Sequence, residues 1–208
     1  MGDIEVVYQW PNGPTMCKTP STIAYPEEND EEDNMEGVRW GSDTKGLKAC
    51  LWTKLLLGGD SRQQDLDDPA LRELRREEGV LHIPDGREAK DVVTDYLREL
   101  CKWLEARLKV RDEVLFQISP LEIWVTVPAM WTDAAKVATR EAVLAAGFGS
   151  RPSDSVNIIT EPEAAALAVM TQRVGLGAIS GLEVSDTKIQ AFSAEHHHVE
   201  RSEKHSHL

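Results

Sequence analysis

The chain has 208 residues, 41% of them hydrophobic, and a formal net charge of −13. That length suits one domain or one large lobe with a real core, and the hydrophobic share argues against a wholly disordered chain. The acidic balance excludes the usual nucleic-acid binder, which needs a basic face to neutralise phosphates, and no apolar run is long enough to span a bilayer.

The first ten residues, MGDIEVVYQW, lack the basic and then apolar regions of a signal peptide. Val6 stands where a myristoylation motif needs Ser or Thr. Cys17, Cys50 and Cys101 are widely spaced and odd in number, so they form no disulfide framework and suit a reducing compartment. The expected location is cytoplasmic, with neither nucleic acid nor membrane as partner.

Residues 3–9 alternate and predict a strand; Pro11-Asn12-Gly13-Pro14 predicts a turn, and Ser21–Tyr25 a second strand, making a hairpin over 3–25. Glu27–Glu36 holds seven acids and no base, which reads as a solvated loop or, less simply, as a contact surface for a basic partner. Val38–Gly41 reads as a third short strand. Leu47–Leu57 has helical spacing, stopped by Gly58-Gly59. Residues 60–88 read as a polar loop with a short charged helix near Pro69–Glu77.

Lys90–Leu108 is the clearest helix, because Val93, Leu97, Leu100, Leu104 and Leu108 form one apolar stripe. Leu121–Val127 alternates as an internal strand, ended by Pro128. Thr132 or Asp133 then caps a helix that stops at Gly147, with Ala134, Ala138, Ala142 and Ala145 expected on its inner face. Val156–Ile159 is a short buried strand. Thr160 opens another helix through a Thr-x-x-Glu capping box with Glu163, and Pro162 fits its first turn. One carboxylate, Glu161, therefore sits where a strand meets its helix, a place where α/β folds gather anions and metal-bound water. After Met170 the patterning fades, and 173–208 is expected to be a divergent, disordered tail. Its histidines, His196, His197, His198, His205 and His207, make only a poor preformed metal site.

The blocks VTVPAMWTDAAKVATREAVLAAGF (125–148) and NIITEPEAAALAV (157–169) together resemble the nucleotide-binding domain of the seventy-kilodalton heat-shock chaperones, in the actin-like ATPase superfamily. DIEVVYQWPNG with KTPSTIAY resembles that domain's second strand pair, and LKACLWTKLLLGG resembles the helix carrying its active-site lysine. Trp40, Trp52 and Trp131 give the chain the flavour of the divergent, often fungal branch. The resemblance covers residues 1–172. It implies an α/β fold, namely a partial first lobe of an actin-like ATPase domain with a mixed β-sheet flanked by helices.

The same resemblance implies ATP and Mg as cofactors, ATP-dependent protein folding as the family's work, and unfolded clients or co-chaperones as partners. It matches Lys54 to a lysine near the γ-phosphate and Glu161 to the carboxylate that positions metal-bound water. Pro128 and Lys136 match the family's proline switch and its basic partner, which relay nucleotide state. Lysine keeps the charge of the family's frequent arginine but not its fork.

The family's two glycine-rich phosphate loops do not occur. There is no Asp-x-Gly-Thr-Thr anywhere, and no glycine follows Gly181. Main-chain amides of such turns hold most of a triphosphate, so the chain is expected not to hydrolyse ATP. Without the family's first strand, the sheet is expected to carry an open edge at its centre. A non-catalytic scaffold using the acidic loop, a sugar-kinase-like relative, and a truncated or degenerate gene product remain alternatives.

Overall fold

The computed structural model describes residues 6–29, 35–51, 57, 82–174 and 188–190, with side chains described up to residue 170. These residues form six strands, four α-helices and two short 3-10 turns. The short strands β1 (Thr22–Ala24), β2 (Arg39–Trp40) and β3 (Ala49–Leu51) make one antiparallel sheet in the order β2-β1-β3. The helices α1 (Ala89–Arg111) and α2 (Glu113–Ile118) follow. Then come β4 (Glu122–Val127), α3 (Asp133–Ala145), β5 (Ser155–Thr160), α4 (Glu161–Val174) and β6 (Lys188–Gln190). Strands β4, β5 and β6 form a parallel sheet in the order β5-β4-β6. The molecule is thus α/β, with two small sheets rather than the one mixed sheet expected.

The helix α1 owes its place to its stripe. Val93, Leu97 and Leu100 are buried, and Leu104 packs at the edge of the same core. Glu88 and Asp91 close a reciprocal capping box at its start. Its partners in the core are Ile123, Val125 and Val127 from one face of β4, Val156 from β5, and Ala135, Ala142 and Val143 from α3. Each aliphatic side chain fully buried here contributes about 1.5–3 kcal/mol. Lys90 pairs with Glu141, fastening α1 to α3 across the surface.

Several expectations need correction. Residues 6–10 are not a strand; the segment is held instead by Met16 N–H donating to the Tyr8 carbonyl and by Trp10 Nε1 donating to Met16 O. The expected helix over Leu47–Leu57 begins as strand β3, because Thr22–Ala24 offers Ala49–Leu51 an antiparallel partner and that pairing overrides helical spacing. The inner face of α3 is Ala135, Thr139, Ala142 and Val143; Ala134 and Ala145 are exposed. The helix expected near Pro69–Glu77 lies outside the described residues.

The acidic run is not simply solvated. Glu27 accepts from Arg87 at 2.7 Å, and Glu28 accepts from Lys48 at 2.9 Å and lies 2.5 Å from His82 Nε2. Arg87 also donates to Asp95 at 2.9 Å and lies over the ring of buried Tyr25, whose hydroxyl donates to Asp95. This network staples the first sheet to α1. The open central edge is not bare either, since β6 pairs with Glu122–Trp124 there. The region expected to be wholly irregular therefore supplies a strand, and α4 itself runs to Val174.

Candidate functional site at the carboxyl ends of β4 and β5

Register builds the site. Val127 pairs with Thr160 at the last rung of β4 and β5, so Pro128 and Glu161, the next residues, leave the sheet side by side. From there β4 connects through α3 to β5 on one side, and β5 connects through α4 to β6 on the other. Parallel crossovers are right-handed, and two that run in opposite directions carry their helices to opposite faces of the sheet. The crevice expected at this switch point, between the starts of α3 and α4, is the candidate site, since α/β sheets hold ligands there.

Each helix start is capped by a threonine. Thr132 Oγ1 accepts from Ala135 N–H at 3.2 Å. At α4, Glu163 N–H donates to Thr160 Oγ1 at 3.4 Å, and Thr160 N–H donates back to Glu163 Oε2 at 3.0 Å. The hydrogen bonds from Thr160 hold the Glu163 carboxyl below its ordinary range, and the Lys136 charge acts in the same direction. Lys136 lies one turn into α3, 3.5 Å from Asp133. Glu161 is half-buried, the first residue of α4, with no hydrogen bond or ion pair among the described residues. The positive end of the α4 dipole lies at this carboxylate.

Pro128 and Glu161 thus leave one end of the sheet together, and Lys136 stands in the helix that follows Pro128, near enough for its charge to act on Glu163. Lys54 lies outside the described residues, but Leu57, three residues further along, is buried in the core and lines a small cavity with Val127, Pro128 and Trp131. Sequence reasoning gave Leu57 and Trp131 no part in the site. An indole between a proline and a cap was the available signal, because a ring so large in a turn must be either exposed or an anchor.

A triphosphate needs several free amides. Here the Ala135 and Glu163 N–H groups are taken by threonine hydroxyls, Trp131 N–H donates to the Pro128 carbonyl at 3.1 Å, Lys136 N–H donates to Thr132 O, and Pro162 has no N–H. The described residues here thus offer a cation, Lys136, and a carboxylate, Glu161, while these four amides are already engaged. Among the described residues no group of three or more His, Cys, Asp or Glu side chains is arranged to hold a metal. No helix among them is long and apolar enough to cross a membrane. Compared with known proteins, the chain matches no family profile and no curated protein.

Proposed function

We propose that this chain is a first lobe of an actin-like ATPase of the heat-shock-chaperone type, and that these 208 residues alone do not hydrolyse ATP. In this reading Glu161 is the carboxylate that orients water, and Lys54 is the charge beside the transferring phosphoryl group. Pro128 and Lys136 relay the state of the crevice, and the partners are unfolded proteins or co-chaperones. ATP with Mg supplies the phosphoryl chemistry when bound.

The observation that carries the reading is the gathering at the crevice. Strand register sets Pro128 beside Glu161, and Leu57 lines a cavity with Pro128. Three residues of chain span at most about 11 Å. The expected lack of turnover rests on the glycine-rich loops that this sequence does not contain.

Two measurements test this. In a Cys17→Ser background, Lys54→Cys with Glu161→Cys should be joined by a bis-maleimide of about 10 Å reach; failure to cross-link in the folded chain overturns the site. Titration with Mg-ATP and a phosphate-release assay should show neither micromolar binding nor turnover; catalytic release of phosphate overturns the second half of the proposal.

A further inference from the structure

Strand β5 ends the parallel sheet, and among the described residues no strand pairs with its outer side. Ser155 N–H donates to Leu121 O at 2.9 Å, so Ser155, Asn157 and Ile159 turn their backbone groups toward β4. Val156, Ile158 and Thr160 turn theirs outward. Thr160 N–H is already spent on Glu163, which leaves Val156 and Ile158 holding the edge. Proteins guard such edges with charge, proline, a bulge or shortness. Strand β6, at the other side of the sheet, is three residues long and carries Lys188. Strand β5 has six residues, SVNIIT, with neither charge nor proline and in unbroken register with β4. Asn157, half-buried at its middle, makes no side-chain hydrogen bond among the described residues. Next to the edge, Leu144 of α3 is 40% exposed, and a Cβ at Gly149 would touch both Leu144 and Val156.

We propose that β5 pairs antiparallel with β5 of a second copy, so that one continuous sheet joins two chains about a two-fold axis at Asn157. Val156 of one copy then exchanges both backbone bonds with Ile158 of the other, and the reverse pair repeats them. A register shifted toward the end of the strand needs Thr160 N–H, which is taken, and so loses bonds. At the axis Asn157 meets its own copy at a site without backbone bonds, where opposed Cα atoms stand about 4.5 Å apart. A primary amide both donates and accepts, so this side chain complements itself, and that match favours a second copy over an unrelated strand. A closed two-fold contact is also the commonest way for a chain to pair with itself. The axis runs normal to the sheet and keeps α3 of both copies on one face, which carries the exposed Leu144 side chains toward the contact. The inference rests on strand geometry and stands apart from the ATPase reading.

Light scattering of the eluting full chain tests it. At tens of micromolar the unaltered chain should run at twice its mass. Asn157→Asp and Asn157→Lys each set like charges opposite one another and should run as monomers with unchanged circular dichroism. Mixed in equal amounts, they set Asp opposite Lys and should return to dimer. In a Cys17→Ser background, Asn157→Cys should form a disulfide between copies on mild oxidation, because the opposed Cα distance suits that bond. An unaltered chain that stays monomeric overturns the proposal and leaves the edge to some other strand. A dimer that survives both charge variants uses another surface and overturns it too, as does a mixture that stays monomeric without a disulfide at Asn157→Cys. A failed lysine–glutamate cross-link counts against the lobe and leaves this result standing.

Discussion

Glu161 and Glu163 stand two residues apart at the start of α4, and their side chains do different work. Glu163 folds back on Thr160 and completes the cap, whereas Glu161 stays uncommitted beside Pro128. Thr160→Ala should therefore cost about 1 kcal/mol of unfolding free energy, as loss of a helix cap does, measured by urea denaturation. Glu161→Gln should leave that midpoint unchanged; a drop equal to that of Thr160→Ala would make Glu161 a structural acid. The three cysteines separate in the same way. Burial pushes the Cys50 thiol up to about 12 and the Cys101 thiol up to about 11, while Cys17 is exposed. Only the thiolate reacts, so a maleimide reagent at pH 7 should modify Cys17 alone in the native chain and all three cysteines after unfolding. Native-state labelling of Cys50 would show that the first sheet opens readily.

The staple between the first sheet and α1 is where pH acts at the scale of elements. Arg87 holds Glu27 below its ordinary range. Burial pushes Glu28 up, but the Lys48 and His82 hydrogen bonds outweigh it and the net shift is downward. Groups with depressed folded values bind fewer protons in the native state than in the unfolded chain. Their contribution is complete above the unfolded value of 4.5 and is lost as pH falls through the lower folded values. Unfolding free energy should therefore fall below about pH 4.5, and Glu28→Gln should flatten that slope; an unchanged slope removes Glu28 from the staple.

Element by element, what could be read in advance follows the strength of the local signal. The stripe of α1 and the alternation of β4 are periodic enough to survive any context. β3 was hidden because LKACL satisfies helical spacing, and only a partner strand at Thr22–Ala24 decides otherwise. The face of α3 turned out one residue over, since a helix rich in alanine offers little contrast between its sides. Pro128, Lys136 and Glu161 were legible as residues, but their meeting depends on the Val127–Thr160 rung, which no local pattern encodes.

At the scale of the whole molecule, the crevice exists because successive crossovers leave the sheet in opposite directions, and that choice is set by β6. Lys188–Gln190 is the strand that draws the α4 connection back across β4. It pairs through three rungs, where β5 pairs through six. More than sixty residues separate Glu122 from the strand that meets it. Such a contact carries a heavy closure entropy for few bonds, so it belongs late in assembly and opens early. During synthesis on a ribosome, β4 and β5 can pair long before β6 emerges. For that interval β4 waits with a raw flank, and the nascent chain depends on whatever shields it until β6 arrives.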